Sequence, residues 1–205
     1  MRYHRMNWLL SDLIWFLMQN FHPLIQNWFH QKFDRPTTVQ KEAWAFICKG
    51  DHVLISAPTG SGKTLAAFLW SIDQLITNVW EPGPIRVLYI SPLKALNNDI
   101  KRNLLEPIEE LDLYFKKSGQ RKKEIRVAVR SGDTPANERQ YMLRNPPEIL
   151  ITTPETLNNL LTSKNGRSLL TGLTTVILDE IHAVFGNKRG THLITGGDRS
   201  SPGKY

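Results

Sequence analysis

The chain of 205 residues has one cysteine, Cys48, so no disulfide can form within it, and a reducing cytoplasm is the expected setting. It also lacks a hydrophobic run long enough to cross a bilayer. The most apolar stretch, Trp8-Leu9-Leu10 with Leu13 through Met18, is broken by Ser11 and Asp12, and no small-residue cleavage site follows it cleanly. Residues 1–17 are therefore expected to form a peripheral segment, or to lie upstream of a natural start at Met18, and no membrane segment is expected. No internal repeat is present, which excludes solenoids and propellers. Negative charge is scarce: 19 Asp and Glu stand against 26 Lys and Arg, a net charge of +7 with pI near 9.6, which suits a polyanionic partner. At 40% hydrophobic and 22% charged residues the composition is that of a globular protein, long enough for one α/β domain with a sizeable core.

Five short β-rich runs recur along the chain: Val53 to Ser56, Val87 to Ile90, Ile125 to Val129, Ile149 to Thr152 and Val176 to Leu178. Between them lie stretches of helical period, with Val39, Ala43, Phe46 and Ile47 on one face and Leu65, Leu69, Ile72 and Ile76 on another. Apolar strands alternating with amphipathic helices predict an α/β fold, a parallel β-sheet sandwiched by helices. Ligands of such sheets lie beyond the carboxyl ends of the strands. There the polar signatures fall: Ser56-Ala57-Pro58, Ser91-Pro92, Arg130-Ser131-Gly132-Asp133, Thr152-Thr153-Pro154 and Asp179-Glu180. Cys48 reads as a small buried residue near a helix end. The run Lys116 to Lys123 reads as a solvated basic loop, with a non-specific phosphate contact as the alternative. From Gly196 to Tyr205 the chain is polar and glycine-rich, which reads as a disordered tail.

Ala57-Pro58-Thr59-Gly60-Ser61-Gly62-Lys63-Thr64 is a P-loop pattern with alanine in place of the first glycine. Small residues let backbone N–H groups turn inward around phosphate oxygens, and the helix that follows adds its dipole. Lys63 is placed to reach the β- and γ-phosphates of ATP, and the Thr64 hydroxyl to ligate Mg²⁺. The second half of the chemistry is Val176-Ile177-Leu178-Asp179-Glu180-Ile181-His182, read as a buried strand that delivers Asp179 to hold Mg²⁺ and Glu180 to orient or deprotonate the attacking water. His182 alone reads as an ordinary core or surface histidine.

Ala57 to Thr64 together with Asp179-Glu180-Ile181-His182 resembles motifs I and II of superfamily 2 helicases, and Phe33, Pro36, Thr37 and Gln40 resemble their Q motif. The resemblance implies that Gln40 reads the adenine edge while Phe33 stacks on the ring; apart from it Phe33 reads as a core residue. Gln40 has the donor and acceptor that adenine needs, and Phe33 a flat face. Five further strings resemble the large helicase-related (Lhr) type: Pro36 to Gln40, Leu65 to Trp70, Tyr89 to Asn97, Ser131 to Thr134 and Lys188 to His192. This similarity runs from Phe21 to about Ile194. It implies a RecA-like P-loop NTPase domain over residues 18–195, the first of two, in a cytoplasmic ATP-dependent DNA helicase or translocase of nucleic-acid repair or processing.

The same resemblance assigns Ser91 to Leu96 to motif Ia and Thr152 to Glu155 to motif Ib. Thr153 is suited to cap a helix with Pro154 at its first position, leaving N–H groups for a phosphate. Pro92 and Lys94 offer a similar helix start with an added cation, and Arg130 and Gly132 a turn beside the same groove. Each also reads as an ordinary cap or turn. Their shared place at strand ends favours sequence-independent contacts to a nucleic-acid backbone, and the resemblance implies DNA rather than RNA. The family pattern continues past Ile194 with a Ser-Ala-Thr motif and a second RecA-like domain. Here Thr195-Gly196-Gly197-Asp198 follows instead, so a truncated product that binds nucleotide or nucleic acid without turnover is the alternative. Another P-loop enzyme, such as a nucleotide kinase, fits less well, since the sequence offers no obvious acceptor lid.

Overall fold

The computed structural model describes residues 18–81, 83–91, 100–120 and 122–181. Residues 1–17 and 196–205, together with Pro92, Lys94, His182 and Lys188 to His192, lie outside the described residues. The chain divides into two compact units, one of residues 1–80 and 99–123, the other of residues 81–98 and 124–205.

The first unit is helical as described. Helix α1 (Pro23–Phe33) begins where Pro23 takes the first helical position and the His22 ring accepts the Leu24 N–H at 3.2 Å. It stops at Asp34, whose φ of 61° no helix continues. Helix α2 (Thr38–Ile47) opens on a capping box in which Gln40 N–H donates to Thr37 Oγ1 and Thr37 N–H donates to Gln40 Oε1. Its buried stripe is Gln40, Ala43 and Trp44, so Phe46, expected inside, is instead 51% exposed. The Trp44 ring, two residues earlier, takes the core position, wedged edge-on against Phe21 and Phe29, and Phe46 is left on the opposite face. Cys48 sits half-buried at the end of this helix.

Helix α3 (Lys63–Ile76) is buried on nearly all sides, with Leu65, Phe68, Leu69, Ile72, Leu75 and Ile76 at 0–3% exposure. That makes it the axis of the unit. Each such side chain contributes about 1.5–3 kcal/mol relative to exposure. The indole N–H of Trp44 donates to the Ala66 carbonyl at 2.9 Å, so the buried ring leaves no unpaired donor. A short π-helical turn, Lys101–Leu105, leads into α4 (Glu106–Ser118). Pro107 lacks an N–H and crowds the carbonyl four residues earlier, and widening the turn ahead of it relieves that clash. Acidic Glu106 and Glu109 at its start and Lys116 and Lys117 at its end suit the helix dipole. The first three residues of the expected basic loop, Lys116 to Ser118, are thus helix. Lys116 and Lys122 both pair with Asp112, whose carboxyl they hold below the usual range.

The second unit carries a four-stranded parallel sheet of β1 (Val87–Ile90), β2 (Val127–Arg130), β3 (Ile149–Thr152) and β4 (Thr175–Leu178), in the order β2-β3-β1-β4. Three of the five expected strands coincide closely with β1, β3 and β4, and the Ile125 to Val129 run is displaced by one or two residues into β2. Helices α5 (Ala136–Arg144), α6 (Pro154–Thr162) and α7 (Lys164–Leu169) flank this sheet. Leu88, Ile90 and Leu150 pack there with Met142, Leu157, Leu160, Leu161 and Leu169, and Ala128 lies against the same cluster.

Two strand expectations are corrected. Val53 to Ser56 belongs to no strand, and Leu54 is 82% exposed, because a strand exists only through pairing and this run finds no ladder partner among the described residues. β4 is not a buried strand either. Placed at the sheet's edge with a single neighbour, it leaves Val176 48% and Leu178 41% exposed.

Candidate functional site

In the first unit the P-loop runs from Ala57 to Thr64 directly into α3. Gly60 and Gly62 have φ of 81° and 87°, a left-handed conformation in which glycine pays no steric cost. With Gly62 at its N-cap, α3 begins with no side-chain cap, so its leading N–H groups are left for another acceptor. Lys63 Nζ donates to the Ala57 and Pro58 carbonyls at 2.6 and 2.8 Å, folding its ammonium back over the loop. Ser61 Oγ is buried without a hydrogen-bond partner. Uncapped N–H groups, a lysine over the loop and an orphaned hydroxyl fit a phosphate group. Thr59 and Gly60 are exposed, Ala57 and Thr64 half-buried.

Gln40 and the P-loop meet directly. Thr37 Oγ1 donates to the Ser61 carbonyl at 2.9 Å and Gln40 Nε2 donates to the Gly62 carbonyl at 3.4 Å. A Cβ on residue 62 would stand 2.5 Å from Gln40 Nε2, so the glycine is also needed for this approach. Each end of the Gln40 amide therefore already has one protein partner, and each keeps capacity for a second. Phe33 is 40% exposed and packs on Phe29 at 4.9 Å and Trp28 at 5.8 Å, so its ring is half core and half open. Pro36 is buried.

In the second unit Asp179 follows β4 directly, its N–H donating to the Ile90 carbonyl at 2.9 Å. The carboxylate is oriented from two sides: Tyr89 Oη donates to Oδ2, and the Glu180 N–H donates to Oδ1 at 2.9 Å. Glu180 has φ of 50°, unusual for a residue with a Cβ, and its side chain is exposed. Such strain tends to be retained where a side chain must be aimed. Tyr89 was not among the expected site residues. Inside the run Val-Leu-Tyr-Ile it reads as one more buried apolar residue, and only the pairing of Ile90 with Leu178 reveals its reach to Asp179. Among the described residues no cluster of three His, Cys, Asp or Glu forms a metal cage. Mg²⁺ needs none, since it is commonly held by one or two carboxylates, waters and substrate phosphates. An oriented Asp179 fits that donor set.

The carboxyl edge of this sheet gathers the other polar signatures. Arg130 lies beside Thr152 in the β2–β3 ladder, and Thr152 Oγ1 donates to the Arg130 carbonyl at 2.8 Å. Ser91 N–H donates to the Thr152 carbonyl at 3.1 Å. Thr153 caps α6 by accepting the Thr156 N–H at 3.4 Å, with Pro154 at the first position. Gly132 sits in a turn closed by Ser131 N–H donating to Thr134 Oγ1 at 2.8 Å. Ser91, Arg130, Gly132, Thr153 and Pro154 thus occupy adjoining strand ends.

A sequence model described as DEAD/DEAH box helicase matches residues 37–201. The chain is 47% identical over 180 residues to the Lhr helicase/uracil glycosylase of Escherichia coli, covering 84% of this chain and 12% of that protein. It is 50% identical over 172 residues to the ATP-dependent helicase Lhr-Core of Methanocaldococcus jannaschii, covering 82% of this chain and 20% of that protein. Among solved structures, the Mycobacterium smegmatis helicase Lhr bound to ssDNA and AMP-PNP superimposes with a TM-score of 0.83 at 48% identity, over 90% of this chain and 23% of that one. The chain belongs to the DEAD/DEAH box helicase family, as a first RecA-like P-loop NTPase domain of the Lhr type. It spans 12–20% of the length of these two curated relatives. No helix among the described residues is long and apolar enough to cross a membrane.

Proposed function

We propose that this chain, over residues 18–195, is the ATP-binding part of an ATP-dependent nucleic-acid motor that works on DNA rather than RNA. The observation that carries the reading is the P-loop itself: left-handed Gly60 and Gly62 open an uncapped helix beneath Lys63. Binding ATP would exchange the carbonyl partners of Lys63 for β- and γ-phosphate oxygens, with N–H groups from Thr59 to Thr64 around them. Thr64 and Asp179 would hold Mg²⁺, which supplies charge neutralisation on the phosphates when bound. Glu180 would orient the attacking water. Phe33 would stack on adenine, and Gln40 would read its edge with the amide capacity left over from Thr37 and Gly62.

Pro92, Lys94, Arg130, Gly132, Thr153 and Pro154 would bind the sugar-phosphate backbone. Support for DNA comes from the relative bound to ssDNA. Unwinding is assigned to this domain acting with a second RecA-like domain. An arginine finger from such a domain is worth about 10³–10⁵ in rate, so hydrolysis by these residues alone would be very slow. The test is calorimetry of Mg²⁺-ATP binding to the chain and to Lys63→Ala. A large loss of affinity in the variant is expected, and equal affinities would reject the phosphate site.

A further inference from the structure

The second unit holds an arginine whose charge has no counterpart among the described residues. Arg130 ends β2, and strand alternation puts its side chain on the same face as Ala128, the face on which the helical core packs. Its Nε and Nη1 atoms are both buried, and neither finds a hydrogen-bond partner among the described residues. Buried donors left unanswered on a cation destabilise the fold unless an acceptor reaches them. Burial, and after it repulsion from Arg139 on the first turn of α5, pulls the Arg130 guanidinium below its ordinary range. Neither arginine forms an ion pair among the described residues. Side chains lean toward the N-terminus of their helix, so Arg139 leans toward the Ser131–Thr134 turn. Pro135 provides α5 with no side-chain cap there.

Two guanidiniums at one strand end, one with two buried donors unspent, are an arrangement an anion would complete. We propose that Arg130 and Arg139 together clamp one backbone phosphate of a bound nucleic-acid strand, which makes Arg139 a contact residue of the same face. This rests on the reading of the carboxyl edge as the nucleic-acid face. The clamp adds a specific stoichiometry to it: two arginines, one phosphate. Thr152, hydrogen-bonded to the Arg130 carbonyl, ties the clamp to the Thr153-Pro154 helix start, where the neighbouring phosphate would lie.

The experiment is fluorescence polarisation of a labelled oligothymidylate against the whole chain at several salt concentrations, for the wild type, Arg130→Gln, Arg139→Gln and the double variant. Each single variant should weaken binding about tenfold, the loss of one charge-assisted hydrogen bond. The double variant should lower the slope of log K against log salt by about 0.7, the value for one single-strand phosphate, and not by about 1.4. Thermal melting separates contact from scaffold. Without nucleic acid, Arg139→Gln should melt at or above the wild-type temperature, because it relieves repulsion at Arg130. A lower melting temperature with unchanged binding would overturn the clamp. So would a double-variant slope change near 1.4, which means two independent phosphates. Undiminished binding by Arg139→Gln alongside weaker binding by Thr153→Ala would reject the clamp and leave the nucleic-acid face standing. Failure of the wild type to bind would reject both.

Discussion

Replacing Gly62 by alanine tests how the nucleotide loop is held together. Two costs are visible. Residue 62 sits at φ 87°, and an L-residue in the left-handed region costs about 1–2 kcal/mol. The new Cβ would also stand 2.5 Å from Gln40 Nε2, closer than any carbon can approach, and must push the Gln40 side chain away. Gln40 is 4% exposed and closes the capping box of α2, so displacing it costs about 1 kcal/mol more, the usual worth of a cap. The expected total is about 2–3 kcal/mol, or roughly 4–12 °C in melting temperature for a domain of this size.

Urea denaturation of Gly62→Ala, Gln40→Ala and the double variant measures the coupling. Gln40→Ala removes the atom that the new Cβ would strike, so the double variant should be more stable than the sum of the single effects by about 1 kcal/mol. Nucleotide affinity should fall in Gly62→Ala, since the loop N–H groups move with the residue. Single effects that add to within about 0.3 kcal/mol would refute the close packing of Gln40 on Gly62.

Asp73 in α3 offers a pH test. Burial raises its carboxyl from 3.8 to about 6, although the His22 N–H at 2.7 Å and the Gln74 amide at 2.8 Å favour the charged form. For an acid whose folded pKa is raised, stability is greatest below the unfolded pKa and is lost as pH climbs through the window from 3.8 to about 6. A rise of about two units corresponds to about 3 kcal/mol. Asp73→Asn should therefore gain on the wild type as pH rises through that window, read by denaturant melts at each pH, and a gap constant from pH 4 to 7 would contradict this. Tyr89→Phe removes the hydroxyl that orients Asp179. The variant should need several-fold more Mg²⁺ for nucleotide binding while losing only about 1 kcal/mol of stability, and an unchanged Mg²⁺ titration would deny Tyr89 that role.

Much was legible in the sequence because some residue patterns have few structural outcomes. Ala57 to Thr64 ahead of Leu65, Leu69, Ile72 and Ile76 reads as a loop opening a buried helix, and α3 is that helix. Ile149 to Thr152 is apolar throughout and proved to be β3, buried on both faces. Thr153-Pro154 reads as a cap and a first turn, since only a few residue types cap well, and α6 starts there.

Other features depend on which segments meet, and no local pattern encodes that. Val53 to Ser56 has strand composition yet lies in no strand, because pairing is a property of two segments. Val176 to Leu178 has a core strand's composition but takes an edge, so its burial followed its position in the sheet and not its hydrophobicity. Phe46 matched the helical period of α2 and lost the core position to Trp44, whose indole found both aromatic neighbours and a carbonyl on α3. Tyr89 reaches Asp179, and Arg139 stands against Arg130, across separations of 90 and nine residues in the chain. The sequence by itself determined which chemistry was available, phosphate loop, acidic pair and helix caps. The tertiary structure alone decided which side chains aim that chemistry and which charges remain unanswered among the described residues, because those depend on which segments meet in space and not on the local residue pattern.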